Sequence, residues 1–429
     1  MSSDYSYVRT EFLGESPPPA RETGAIKWMR ENLFSGWVNT ILTVLAAYFV
    51  IRLVVGVWPW FANGIWDADN LAQCRQMLDG TTGACFAVLV DRWPQLLYGI
   101  SYPADGYWRP TLAFILLFPS VAPALFVQYI PRKFLIGSAL YPFLAYWLIW
   151  GGTILIPIIT LIGLIVGYMA FIRLERASGF FMGLVGGIAA AAVVWYLGGF
   201  ITDAMSGFIA LPEVASRDMG GFMLNMILGV ICVSLSIPLG IVLALGRQSS
   251  MPIIKGICVI FIEFVRGVPL ITLLFVANVV LAYFLPPGTT MDLILRVIIM
   301  ITMFSAAYIA EVIRGGLAAL PKGQYEAGDS MGLNYSQAMR LIILPQALKI
   351  SIPGIVNVAV GLFKDTTLVS VISMFDLVGA IRGPILSSTN WTGIYWEVFA
   401  FAALLFFVIC YGISQYSQWL ERQLRTDHR

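Results

Sequence analysis

Histidine is all but missing from this chain: it occurs once in 429 residues, as His428 close to the C-terminus. With five cysteines beside it, most metal-site readings fall, and no His-Glu-x-x-His pattern exists for a metalloprotease. Charge is also scarce. Asp, Glu, Lys and Arg make up 12% of the residues, about half the share of an average globular chain, so a soluble fold is excluded. A net charge of +2 carries no nucleic-acid signature. The Gly-x-x-x-x-Gly-Lys-Ser/Thr phosphate loop occurs nowhere, so the chain has no such cradle for ATP.

What the chain has instead is apolar length. It is 59% hydrophobic, with a mean hydropathy of +0.82. Repeated apolar runs of about 20 residues predict an all-α, polytopic helical membrane protein. The runs fall near 37–58, 110–129, 134–150, 153–172, 180–202, 221–246, 266–285, 291–314, 352–373 and 395–419, about ten transmembrane helices. Residues 1–36, with Pro17, Pro18 and Pro19, read as a disordered cytoplasmic tail. The first apolar run starts only near Trp37, which is not the layout of a cleavable signal peptide. Residues 37–220 then hold about five N-terminal spans, and 221–424 about five more.

Basic residues orient the chain. Arg132 and Lys133, Arg173 and Arg176, and Arg247 and Lys255 occupy alternate connections, and Arg422, Arg425 and Arg429 follow the last run. The connections between them are acidic or neutral, with Asp67, Asp69, Asp79, Asp91 and Asp105 in 59–109 and Asp203, Glu213 and Asp218 in the third. An even count puts both termini in the cytoplasm. Cys74 and Cys85 share the 59–109 outer loop, where a disulfide and two free thiols are both chemically open. Gly183 and Gly187 have the small-xxx-small spacing of closely packed helices. Arg52, inside the first run, can snorkel to the interface.

The longest polar interruption of the second half runs from Glu311 to Gln346 and contains a plan of its own. Pro321 and Gly323 stop the incoming helix. A short helix around Glu326 follows, with Gly332 as a left-handed cap. Asn334 and Gln337 then have capping-box spacing for a second helix, which Pro345 limits. Met331, Leu333 and Met339 sit among polar neighbours, as suits insertion into a groove on a soluble partner.

Within this stretch Glu326, Ala327, Gly328, Gly332, Ile342, Leu344 and Pro345 resemble the EAA loop of bacterial ABC-importer permeases, here spanning 315–349. In that family the loop is the coupling helix that docks on the ATPase subunit. One position departs: the family usually has alanine where this chain has Gly328, at a helix cost of about 1 kcal/mol. From Gly221 onward the resemblance narrows to the polar-amino-acid branch. Glu263-Phe264-Val265-Arg266-Gly267-Val268-Pro269-Leu270 is similar to its FRGTPL motif. Ala307 to Gly316 precedes the loop as in the family, and Leu362 to Leu368 follows it. The length and the extra N-terminal spans resemble the longer permease subunit of broad-specificity L-amino-acid importers.

The resemblance implies a transport subunit that forms the translocation path and is no enzyme. ATP and Mg would sit on a partner ATPase dimer, with no cofactor on this chain. A second permease chain, either different or identical, and a periplasmic solute-binding protein would complete an inner-membrane importer in the lipid bilayer. Several residues remain to be assigned. Glu263, Arg266, Gly267, Pro269, Glu311 and Arg314 lie at the cytosolic border. Glu263 with Arg266 and Glu311 with Arg314 form i,i+3 pairs that either gate or simply anchor helix ends. Lys364, Asp365, Thr366 and Thr367 interrupt an apolar run, where charges are expensive unless paired or lining a polar cavity. They either line the substrate path, offering a zwitterion both charges, or satisfy one another. Asn225, Asn278 and Asn357 are weaker candidates. The alternative to an ABC importer is an ion-coupled secondary transporter of small polar solutes, whose sign would be matching broken helices in both halves.

Overall fold

The structure, a computed structural model, describes residues 24–280, 283 and 291–424. Residues 1–23 of the expected tail, residues 425–429 and the 281–282 and 284–290 parts of the second half lie outside the described residues. The rest of the expected tail is not coil. Gly24–Asn32 is helix α1, with Lys27 and Glu31 one turn apart at 3.8 Å, because charged residues here alternate with Ile26, Trp28 and Met29.

Contacts divide the chain into two units, the first comprising 1–68 and 72–86, the second 69–71 and 87–429. In the first, α2 (Trp37–Ala62) is apolar all round and none of its residues is buried. Its end is tied to the following segment by a knot. Asn63 donates to the Thr82 carbonyl at 3.1 Å, and the Phe86 ring packs on Trp60 and Trp66. In α3 (Leu71–Leu78), Cys74 is joined by a disulfide to Cys85.

In the second unit the chain continues through α4 (Ala87–Tyr98), α5 (Trp108–Leu125), α6 (Leu135–Trp150), β1 (Gly152–Thr153), α7 (Leu155–Ser178), α8 (Phe180–Ala204) and β2 (Ala210–Leu211). It goes on to α9 (Gly221–Gln248), α10 (Pro252–Gly267), α11 (Leu270–Phe275, prolonged by a π turn Val276–Val280) and α12 (Leu293–Ala318). The last elements are α13 (Lys322–Ser330), α14 (Tyr335–Ala338), α15 (Leu344–Asp365), α16 (Leu377–Ala380) and α17 (Trp396–Leu424). Among the described residues nine helices, or ten spans if the bent α10–α11 pair counts as one, are long and apolar enough to cross a membrane.

Two expected spans differ from the sequence reading. The 266–285 run is not one helix: α10 ends at Gly267 and the chain turns through 104° before α11. Val268 and Pro269 are extended, because proline lacks the N–H that the helix needs and keeps the residue before it out of the helical region. The 352–373 run begins earlier, since Tyr335–Ile372 is continuous. Pro345 does not limit α14. A π turn over Met339–Ile343 widens the helix just before the proline and leads into α15. Among the described residues the only broken span lies in the second half.

Helix association in lipid depends on close approach rather than on hydrophobic drive. Accordingly α9 turns Asn225, Gly229, Cys232, Ser236, Gly240 and Ala244 inward at three- and four-residue spacing. A Cβ on Gly240 would lie 2.6 Å from Ile309 of α12. Gly183 and Gly187 of α8 approach α7 as their spacing suggests, Gly187 against the Gly167 carbonyl.

The N-terminal helices of this unit share one core with the 221–424 part. Tyr102, Ala113, Leu148 and Ile149 pack in the same buried cluster as Met223, Leu224, Ile227, Ile294 and Ile301. Arg109, 2% exposed, clamps this joint, donating from Nε to the Leu148 carbonyl at 2.7 Å and from Nη1 to the Pro212 carbonyl at 2.8 Å. The β1–β2 ribbon holds the same connection. At the Gly221 end of the bundle α4 docks on α9 so closely that a Cβ on Gly99 would lie 2.6 Å from Gly220 Cα, and Gly99 itself is left-handed at φ +90°. Trp391, fully buried, donates to Asp91 of α4 at 2.6 Å.

Gly99→Ala adds both left-handed strain and a backbone clash, a loss of about 2–4 kcal/mol. Gly199→Ala, where nothing lies within 4 Å, serves as the control. Thermal unfolding in detergent, followed by size-exclusion fluorescence, is expected to drop by many degrees for the first variant alone. Equal melting of the two would show that the α4–α9 joint contributes little.

Candidate functional site

The Pro321 end of the bundle carries the compact element expected at 322–343. Helix α13 closes with two bonds, Gly332 N–H to the Asp329 carbonyl at 3.0 Å and Leu333 N–H to the Gly328 carbonyl at 3.2 Å, with Gly332 at φ +71°. The capping box at Asn334 and Gln337 is formed. Gln346 Nε2 reaches Gln324 Oε1 at 2.9 Å and pins α13 to the start of α15. Gly328 is buried, and a Cβ there would sit 3.2 Å from the Ala338 methyl, so glycine lets α13 and α14 close up.

Glu326, Ala327 and Pro345 are exposed, and Ile342 and Leu344 are half-buried. Met339 does not point outward with Met331 as the sequence suggested. With Ile343 it anchors the element in a cluster with Ala244, Ile262, Ile309 and Ile313, because the π turn rotates it inward. The apolar groups left outside are Met331, Tyr335 and Leu341, 65–72% exposed.

Just above lies a charged network. The separate pairs read from the sequence, Glu263 with Arg266 and Glu311 with Arg314, are brought together, and Arg247 joins them. Arg247 Nη1 contacts Glu263 at 2.7 Å and Glu311 at 3.3 Å. Glu311 also meets Arg314 at 2.6 Å and Arg266 at 3.8 Å, and Glu263 meets Arg266 at 3.9 Å. The Arg266 guanidinium lies 5.5 Å from the Tyr308 ring centre. Gly267 and Pro269 form the break that sets Arg266 beside α12. Arg247 was read only as an orientation charge, since contact between the ends of α9, α10 and α12 is a tertiary fact.

The Lys364–Thr367 group lies at the opposite, Gly221 end. Thr366 is fully buried, donating to the Phe363 carbonyl and accepting from Asn225 Nδ2 at 2.9 Å. Lys364 is exposed, and Asp365 and Thr367 are half-buried. Thr367 donates to the Lys364 carbonyl at 2.9 Å.

Asn225 bridges helices, as a single buried amide commonly does, and its second partner is Asp376, 3.2 Å away and fully buried. Asp376 also caps α16 by accepting from Val378 and Gly379 N–H. Sequence reasoning passed over Asp376, although an aspartate just before a short apolar helix is itself a capping signal. Burial pushes its carboxyl up to about 6, against the opposing pull of its bonds from Gly379, Asn225 and Val378.

A bundle of this kind, with an exposed helix–turn–helix at one end, defines a polytopic helical membrane protein. Residues 236–426 match the family described as binding-protein-dependent transport system inner membrane component. The glutamate/glutamine/aspartate/asparagine transport system permease protein BztC of Rhodobacter capsulatus is 52% identical over the full length of both chains. The inner membrane amino-acid ABC transporter permease protein YhdY of Escherichia coli is 36% identical, covering 96% of this chain and 97% of the other. A solved amino acid ABC transporter, described as crystallised with histidines, aligns with 48% of this chain and 92% of its own at 31% identity and a TM-score of 0.43. The chain belongs to the amino-acid ABC-transporter permease family and is a multi-pass inner-membrane protein.

Because Asp376 binds its proton more tightly when folded, its contribution to stability is full below pH 3.8 and is lost as pH rises through about 6. The difference in unfolding free energy between the native protein and Asp376→Asn is therefore expected to change by up to about 3 kcal/mol across that window, at about 1.4 kcal/mol per pH unit. A difference that stays flat with pH would show that the carboxyl is not held this way.

Proposed function

We propose that the chain is one membrane subunit of an ATP-driven importer for acidic amino acids and their amides. The full-length match to BztC, whose name carries those four amino acids, supports this reading. In it, residues 322–343 face the cytoplasm and dock on a separate ATPase subunit of a dimer. The exposed Met331, Tyr335 and Leu341 enter a groove on that subunit, and Glu326 and Ala327 lie at the contact. The basic residues of alternate connections support both termini in the cytoplasm. The Gly221 end then faces a periplasmic solute-binding protein, and a second permease chain, related or identical, completes the path. ATP and Mg belong to the ATPase partner, not to this chain.

For the substrate path the exposed Lys364 and the half-buried Asp365 and Thr367 are the candidates. Thr366 is committed to Asn225, so its contribution is to hold the others in place. The cationic Lys364 suits a substrate that carries an extra carboxylate.

Two measurements follow. In proteoliposomes containing the assembled complex, Glu326→Lys is expected to abolish ATP-dependent glutamate uptake while insertion and folding are kept. Normal uptake with the ATPase still bound would overturn the docking assignment. Lys364 is exposed and Asp365 half-buried, so a single change at either leaves the neighbouring charge in place and cannot separate the two contributions. The double variant Lys364→Met with Asp365→Asn removes both charges at near-constant size. It is expected to assemble and hydrolyse ATP but to lose glutamate uptake, whereas full uptake would remove these residues from the path.

A further inference from the structure

Helix α1 is 9 residues long, and none of them is buried. A free helix of that length is marginal in water, so α1 needs a surface to hold its fold. Its side chains show which kind. Ile26, Met29 and Leu33 fall at i, i+3 and i+7 on one face, and the Leu33 N–H extends the helical ladder to the Met29 carbonyl at 2.8 Å. Lys27 and Glu31 pair on the opposite face. Trp28 and Arg30 stand at the two borders between these faces. Ile26, Trp28 and Met29 are 57%, 58% and 42% exposed, so nothing among the described residues covers the apolar side.

The join to α2 decides what that surface is. Only residues 33–36 separate α1 from a span that is apolar all round and has no buried residue. That turn is fastened rather than loose. The Phe34 N–H donates to the Met29 carbonyl at 3.0 Å, Asn39 Nδ2 to Ser35 Oγ at 2.7 Å, and Thr43 Oγ1 to the Leu33 carbonyl at 2.8 Å. Thr43 lies in the second turn of α2, about 9 Å along its axis. The end of α1 is therefore held beside the first two turns of the span. The 26 residues of α2 measure about 39 Å against a hydrocarbon core of about 30 Å, so its end turns reach into the headgroup layer. A helix held at that level, with one apolar face, a tryptophan on one border and an arginine on the other, has the pattern of the membrane interface.

We propose that α1 is an interfacial anchor that docks on the phospholipid surface beside α2. It lies along the membrane, with Ile26, Met29 and Leu33 among the acyl chains and Arg30 on headgroup phosphates. Trp28 sits at headgroup level, as its amphipathic ring prefers. Lys27 and Glu31 stay in water, where an exposed pair on one helix face remains solvated. The span gains a fixed height from this. No residue of α2 is buried, so packing within its own unit does not set its depth, and the anchor determines where Trp37 enters the bilayer. On the topology proposed above the surface is that of the cytoplasmic leaflet. The anchor itself needs only that α2 spans the membrane.

Spin labels on the full chain in nanodiscs of phosphatidylcholine and phosphatidylglycerol test this. Ile26→Cys, Lys27→Cys, Met29→Cys and Glu31→Cys are made one at a time, with Cys232, Cys258 and Cys410 replaced by alanine. Labelling without reductant keeps the Cys74–Cys85 disulfide. Power saturation compares collisions with oxygen, which concentrates in lipid, and with a nickel chelate confined to water. Oxygen is expected to dominate at 26 and 29 and nickel at 27 and 31. Ala25→Cys replaces either apolar site if that variant does not insert. Adding Arg30→Gln, or omitting phosphatidylglycerol, is expected to shift the label at 26 toward water. A depth at 26 that ignores both changes would overturn the phosphate contact. Equal nickel access at all four sites would place α1 in water and overturn the anchor. So would protection of 26 and 29 from both reagents, which would mean that a second copy or another protein covers the face.

Discussion

The rest of the bundle depends on how closely α12 approaches its neighbours. Lipid tails are as apolar as leucine, so apolar faces gain little by meeting each other inside a membrane, and dispersion at short range has to hold helices together. Gly240, Gly316 and Gly354 allow that approach, each facing a side chain or carbonyl with no space for a methyl group. A helix fixed so tightly on two sides becomes the reference for everything else. The element 322–343 is rooted in it through Ile309 and Ile313, and the five charged residues of the network collect at its end.

Polar groups in this protein concentrate where the bundle ends, and each cluster joins elements that are distant in sequence. At the Gly221 end Asn225, Thr366 and Asp376 bind α9 to the last third of the chain. Arg109 performs the same service between α5, α6 and the segment before α9. Buried polar groups cost free energy unless they are paired, so these knots require one particular arrangement of the helices rather than adding much net stability. The N-terminal helices α4, α5 and α6 pack on the same core, which makes them one structural unit with the 221–424 helices rather than an appendage.

The family assignment and the geometry support each other through different residues. The match over residues 236–426 covers the interlocked helices, the charged network and the exposed element. The full-length relatives extend it to the helices before Gly221, whose clamp at Arg109 and buried contact at Trp391 explain why they accompany the core.

Much was legible in the sequence because it depends on local chemistry. Apolar runs determine that the chain lies in a membrane and where most spans fall. The caps at Gly332 and at Asn334 with Gln337 are short-range rules, and both form as the residues dictate. What escaped local reading is of two kinds. Proline has opposite effects at Pro269 and Pro345: the first stands beside an extended corner, while the second is absorbed by a π turn, and only packing around each site selects between those outcomes. Charged residues could be seen singly or as i,i+3 pairs, but the joining of Arg247 to Glu263 and Glu311, and of Asn225 to Asp376 across 151 positions, exists only once the helices are assembled. The sequence by itself determined the membrane class, most spans and the caps, because periodicity and capping act within one or two turns. The tertiary structure alone decided which charges meet and where the chain breaks, because both depend on how closely distant helices approach.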